Sequence, residues 1–437
     1  MSTEIIGLEK PAARPGADDA RRPASPLHRV NGWFIGSFIV LLILWLRLLS
    51  LQGVFAGGPS GRVFGADFAM FEAGARVQAV GGNPYNPGVL YRTERAWMHQ
   101  QHLTMTRFPP MVRVGNPPLF LWALQPLSKL PFQPVAWGWI AAMFSLSGVG
   151  FLTMLRALGW KRRALPLALF LAMPQTFIGA FYGNVTSLMI AVLGIGLFYR
   201  KRAPVAIGLL LNLCWLKPQV ALPAAMLLIL FTPGRRIRLA GGFALGLVFW
   251  ATLTFVAVGP HEMALWLHGM LGYSRDLSAR PDVPGMAGLY VGWMAHAPRL
   301  ILEGVALVAA LAATACCWWR TRGQADVSLT LIGLLWLVWF LVAPYARFYD
   351  ESLLALPVLL FLGRDACNLH ARERVVLYLL LFSWLLNHPL PGPVYLLPLP
   401  LVLLGCWLYA NREGTRRSRD CDPYPRLRGA TALPGST

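Results

Sequence analysis

Apolar runs long enough to cross a bilayer recur along this chain, with short clusters of Lys and Arg between alternate pairs of them. A bilayer core takes about 20 apolar residues as a helix, because a helix satisfies its backbone polar groups within one segment. Cationic clusters stay on the cytoplasmic side. Together these two rules leave few ways to fold the sequence. Of 437 residues, 56% are hydrophobic and 13% charged, against roughly 25% charged in a soluble domain. The expectation is an all-α polytopic membrane protein. The net charge of +20 does not point to nucleic acid, since the basic residues are dispersed between apolar runs. The six cysteines are scattered without ligand spacing, which supports neither a disulfide framework nor a zinc site.

Taken in order, residues 1–30 are polar and Arg-containing and read as a disordered cytoplasmic arm. No cleavable signal pattern is present there. A transmembrane domain occupies 31–410, and 411–437 form a basic cytoplasmic tail. The first span, 31–51, follows Arg21, Arg22 and Arg29 and so runs outward. Further spans are expected near 133–155, 165–182, 185–199, 203–216, 219–231, 240–259, 300–319, 327–345, 352–363, 375–387 and 391–410. That makes about twelve transmembrane helices with both termini cytoplasmic. The short, Pro-bounded segment 117–131 reads as re-entrant or interfacial, which keeps the Arg156–Arg163 cluster inside. Residues 52–116 form a first outer loop and 260–298 a second. No internal repeat or inverted pair of halves is visible.

Acids are the scarcest charged group, and none occurs between Glu94 and Glu262. Those on the outer side are Asp67, Glu72, Glu94, Glu262, Asp276, Asp282, Asp350 and Glu351. The plain reading of each is a solvated loop charge. Asp67 stands apart because Phe68, Phe71 and Ala75 fall on one helical stripe, which predicts an amphipathic helix lying on the membrane. There Asp67 is either a helix N-cap or a functional carboxylate, and the two are compatible. Asp350 lies at a membrane boundary beside Arg347 and Tyr349, as a cap or ion-pair partner or as a contact to a substrate hydroxyl. Lys217 interrupts two apolar halves on the side opposite the basic clusters. A cation there costs free energy unless it pairs or binds an anion. With no acid nearby in sequence, a phosphate is a sensible partner.

Five strings occur in a fixed order: DFAMFEAGARVQAVGGNPY (67–85), NPPLFLWALQPLSKLP (116–131), GNVTSLM (183–189), LKPQ (216–219) and APYARFYDESLL (343–354). Together they resemble glycosyltransferase family 87, polyprenyl-phosphate-sugar-dependent membrane enzymes whose members include phosphatidylinositol-mannoside mannosyltransferases. The family more often has Tyr or Phe where Asn116 stands, and Gln where Asn184 stands.

The resemblance implies a C-type membrane glycosyltransferase fold with its site on the first outer loop. It implies transfer of a sugar, with mannose favoured, from a polyprenyl-phosphate donor to a glycolipid or glycan acceptor on the outer face of the membrane. Asp67 corresponds to the general base that takes the acceptor hydroxyl proton. Stabilising the departing phosphate needs cations, and Lys217 and Arg347 are the candidates, ahead of Arg62, Arg76 and Arg275. Asp350, Tyr349, Tyr345, Asn184 and Glu72 are candidate substrate-binding residues. A single base without a covalent intermediate gives inversion at the anomeric carbon. No cofactor is expected, since the lipid-linked sugar is a co-substrate, and no metal cluster is indicated. The partners are then the donor, the acceptor and the bilayer, with no nucleic acid, in a bacterial inner (plasma) membrane. The rival class is a transporter or flippase of a lipid-linked or amphiphilic substrate. Transporters place ionisable groups near the midplane of their spans, whereas the acids here sit in outer loops.

Overall fold

A computed structural model describes residues 65–100, 114–160, 163–278, 296–343 and 346–363. The expected spans at 31–51, 375–387 and 391–410, the N-terminal arm and the C-terminal tail lie outside these residues. The described part is all helical. Two helices come first, α1 (Ala66–Ala79) and α2 (Pro87–Gln100). The next, α3 (Pro118–Leu124), has seven residues and leads into a 3-10 turn at Leu127–Lys129, so neither is long enough to cross a bilayer.

Then α4 (Phe132–Ala157) runs for 26 residues. The apolar run expected as a single span at 165–182 divides into α5 (Ala164–Ala172) and α6 (Pro174–Phe181). The break falls at Pro174, which has no N–H to continue the helical ladder. After Gly183 the chain turns into α7 (Thr186–Tyr199), bent by 118° from α6, as in a broken span or a re-entrant loop. Next, α8 (Pro204–Leu211) tightens into 3-10 geometry at Asn212–Leu216, and α9 (Pro218–Leu230) restarts beyond Lys217. Helix α10 (Arg236–Ala257) follows, starting four residues before the expected boundary. Half of the expected second outer loop is helical, as α11 (Pro260–Ser278). The described chain closes with α12 (His296–Thr321), α13 (Leu329–Leu341), a 3-10 turn at Phe348–Leu354 and α14 (Ala355–Gly363).

Three of these helices are long and apolar enough to cross a membrane, namely Phe132–Ala157, Arg236–Ala257 and Ile301–Thr321. The bent pair α6–α7 makes a fourth if it is one span. Helix α10 exposes Ile237, Val248, Phe249, Phe255 and Val256, and α12 exposes Ile301, Val305 and Val308. Water does not favour such outward apolar faces, and lipid does.

Helices α4 and α7 pack most closely. A Cβ on Gly150 would run into the Ile190 carbonyl, and one on Gly194 into the Gly150 carbonyl, so the pair lets two backbones touch. Helix α1 departs from the expected amphipathic surface helix. Ala69, Ala73, Gly74 and Ala75 are buried along with Phe68 and Phe71, because small residues let neighbours close on the faces the aromatics leave. It sits among α2, α3 and α4.

Candidate active site

Asp67 is not the N-cap of its helix, since Gly65 holds that position and no side chain caps it. The start of α1 meets the end of α6 instead. The backbone N–H groups of Asp67 and Phe68 both donate to the Tyr182 carbonyl, at 2.9 and 3.1 Å, and Gly65 N–H donates to the Phe181 carbonyl at 3.0 Å. Unpaired donors of one helix end thus satisfy unpaired acceptors of another. Gly183 turns the chain here with a φ of 74°. A Cβ there would come within 2.8 Å of both Phe68 and Trp139, so the turn needs glycine for its backbone and for its space. Trp139 Nε1 fixes it by donating to the Gly183 carbonyl at 2.8 Å.

That turn delivers Asn184 to the carboxylate, with Asn184 Nδ2 donating to Asp67 Oδ2 at 2.5 Å. Asn184 Oδ1 in turn accepts from Lys217 Nζ at 2.9 Å and from Thr186 N–H at 2.9 Å. Lys217 also donates to Thr186 Oγ1 at 2.7 Å and pairs with Asp350 Oδ1. The Thr186 hydroxyl donates to Asp350 Oδ1 at 2.6 Å, with Asn184 Oδ1 2.7 Å from the same hydroxyl oxygen. The other Asp350 oxygen accepts from the Arg347 backbone N–H at 2.8 Å. The Tyr349 ring lies under the ammonium, 4.7 Å from Lys217 Nζ. Asp67, Asn184, Lys217, Asp350 and Tyr349, which sequence reasoning picked from four separate strings, therefore meet in one network.

Lys217 reaches this position because Pro218 excludes helical geometry at the preceding residue. Its backbone, at φ −146° and ψ 65°, joins the 3-10 segment to α9. The string around Asn116 braces it. Asn116 Nδ2 donates to the Leu216 carbonyl at 3.2 Å, and Tyr85 OH donates to the Asn116 carbonyl at 3.1 Å. Asn83 Oδ1 accepts from Tyr85 N–H at 2.9 Å, a loop-shaping role. The acid that sequence proximity did not supply for Lys217 is Asp350, brought in across 133 positions.

Other expectations come out differently. Glu72 is buried and pairs with Arg76 at 3.4 Å, one helical turn on. Arg76 also donates to the Ser128 carbonyl and lies 4.6 Å from the Trp97 ring centroid, so it is committed away from the network. Arg347 is half-buried, with its backbone on Asp350. Tyr345 and Arg62 lie outside the described residues. Glu94 and Glu351, read as solvated loop charges, are buried, as is Asp350. Sequence reasoning passed over Thr186, although its place at the first position of α7, two residues after Asn184, is a recognisable turn signal.

Burial raises the Asp67 carboxyl above its ordinary value, while hydrogen bonds from Asn184 and Tyr349 and the charges of Lys217 and Arg347 pull it back. Burial also pushes Glu72 up to about 7 against the pull of Arg76. Burial and then the negative charge of Asp67 push Glu94 up to about 7. A carboxylate with a raised pKa, held by an amide that a lysine holds in turn, can take a proton beside a cation. Among the described residues no group of three or more His, Cys, Asp or Glu could hold a metal ion.

A family model described as Glycosyltransferase family 87 matches residues 115–344, more than half of the chain. Asn184, Thr186 and Lys217 lie inside the match, while Asp67 precedes it and Asp350 follows it. No curated protein and no solved structure matches.

Proposed function

The chain belongs to glycosyltransferase family 87, and from that membership we propose that it moves a sugar, mannose favoured, from a polyprenyl-phosphate donor to a glycolipid or glycan acceptor at the outer face of a bacterial inner membrane. Asp67 acts as general base. It takes the proton of an acceptor hydroxyl, the hydroxyl oxygen forms a bond to the anomeric carbon, and the bond from that carbon to the phosphate oxygen breaks. Displacement in one step inverts the anomeric configuration. Lys217 and Arg347 stabilise the charge arriving on the phosphate. Asp350, Tyr349, Tyr345 and Asn184 stand as substrate-binding residues, while Glu72, expected among them, supports α1 through its pair with Arg76.

The observation that carries this reading is the chain Asp67–Asn184–Lys217. It holds the carboxylate one amide away from a cation, with Tyr349 as a second hydrogen-bond donor to it. An ammonium has three donors, and Lys217 has three acceptors in Asn184, Thr186 and Asp350. A phosphate therefore binds by replacing a neutral acceptor, Asn184 or Thr186, and leaves the Asp350 pair intact.

The test is transfer of radiolabelled sugar from polyprenyl-phosphate donors to membrane-lipid acceptors by purified protein, wild type against Asp67→Asn. A positioned base contributes about 10²–10⁴-fold, so the expected loss is of that order with donor binding retained. Equal transfer by both proteins removes Asp67 from the chemistry. Product with the donor's anomeric configuration removes the single displacement.

A further inference from the structure

Beneath the network, Gln175 is fully buried, and neither its amide nitrogen nor its amide oxygen has a hydrogen-bond partner among the described residues. The same holds for the Thr176 hydroxyl and for both oxygens of Glu351, and both residues are buried. Interiors leave few such groups unpaired, because each forfeits its hydrogen bonds to water without replacement. Five unpaired atoms on two adjoining elements call for an occupant.

These elements adjoin the network. Helix α6 packs along the 3-10 turn 348–354. The contact point is Gly179, where a Cβ would come within 3.0 Å of the Tyr349 Cβ. Gln175 and Thr176 lie four and three residues before Gly179 and hence on its face of the helix. Glu351 follows Asp350 directly on the turn. Burial, and then the negative charge of Asp350, raise the Glu351 carboxyl well above its ordinary value. The set is an amide, a hydroxyl and a carboxyl group, which together offer both donors and acceptors. A phosphate has no cation to meet there, because Lys217 and Arg347 belong to the neighbouring network. Each hydroxyl of a sugar both donates and accepts, and suits it.

We propose that Gln175, Thr176 and Glu351 form the pocket that binds hydroxyl groups of the transferred sugar and so sets which hexose the enzyme accepts. This rests on the transfer reading above. A site built to hydrogen-bond a hydroxyl discriminates strongly against a ligand that lacks it or misplaces it.

The experiment compares wild type with Gln175→Leu, using polyprenyl-phosphate mannose, polyprenyl-phosphate glucose and unglycosylated polyprenyl phosphate as probes. The expected result has three parts. The KM for the preferred glycosylated donor rises by at least about tenfold, the preference between the two hexoses narrows by a similar factor, and binding of unglycosylated polyprenyl phosphate does not change. The unliganded variant melts no lower than wild type, because Leu removes groups that had no protein partner. A variant that keeps the hexose preference, or weakens all three lipids alike, overturns the pocket. So does a lower melting temperature with unchanged preference, which marks the amide as structural. If Gln175→Leu does not fold, Thr176→Val carries the same comparison. Wild type that transfers neither hexose sinks the transfer reading itself, whereas normal transfer with unchanged preference in the variants sinks only the pocket.

Discussion

At the scale of single residues, Thr186 has the least slack. Its one hydroxyl accepts from Lys217 and donates to Asp350, so Thr186→Val leaves a buried ammonium and a buried carboxylate each one partner short. An unmade buried hydrogen bond costs about 1–3 kcal/mol. The expected outcome is a fall in kcat/KM of about 10–100-fold, with Thr186→Ser close to wild type. A lower melting temperature without the serine rescue would reduce Thr186 to a packing residue. Asp67 supports a second prediction. Burial raises its pKa, so it becomes available as a base only at a higher pH than an ordinary carboxylate does. The kcat/KM of wild type should rise with pH through a midpoint above the ordinary carboxylate value of about 4, as measured by initial rates between pH 4 and 8. Much of this residue set was legible beforehand. Lys217 stood out as a lone cation, and the ordered strings drew in Asp67, Asn184 and Asp350. Thr186, Gln175 and Glu351 were not legible, since their meaning lies in what surrounds them and a Glu in a polar string looks like any solvated acid.

At the scale of elements, the pair α1–α2 carries buried Glu72 and Glu94, both raised to about 7. An acid raised in the folded state binds more protons folded than unfolded, so stability falls as pH rises from the unfolded value near 4 to about 7, and is flat above that. Thermal unfolding of purified protein should therefore show a lower Tm at pH 8 than at pH 5, and Glu94→Gln should reduce that slope. An unchanged slope would place the Glu94 carboxylate in contact with water. A further prediction concerns the junction of α6 and α7. In Gly183→Ala the new Cβ meets Phe68 and Trp139 in a backbone conformation that costs roughly 1–2 kcal/mol for an L-residue. Asn184 would shift from Asp67, so transfer should fall further than stability does, as seen by comparing kcat with Tm. Helix periods announced most of these elements, but two failed for stated reasons. Pro174 divides a run that hydropathy alone joins, and the small residues of α1 permit burial where an aromatic stripe suggested a surface helix.

At the scale of the whole molecule, the site and the basic turns occupy opposite ends of the same helices. From Thr186 in the network, α7 runs 14 residues to Tyr199, about 20 Å at 1.5 Å per residue. Just past its far end Lys201 pairs with Asp326 at 2.9 Å. In a variant freed of its native cysteines, Arg95→Cys on exposed α2 should react with a membrane-impermeant thiol reagent on intact cells, and Lys201→Cys only after permeabilisation. The reverse pattern would turn the proposed orientation over. The alternation of basic clusters made this polarity readable, whereas the packing that brings residues 67, 184, 217 and 350 together left no trace in any one segment. The position of Lys217 between Asp67 and Asp350 has one more consequence. In the proposed transfer Asp67 starts with a negative charge and ends neutral, while the leaving phosphate gains what Asp67 loses. The total does not change; the charge only migrates past a fixed counter-ion. An enclosure whose total charge is the same before and after turnover has little solvent to reorganise, and so the reaction can run in a setting as dry as the edge of a bilayer.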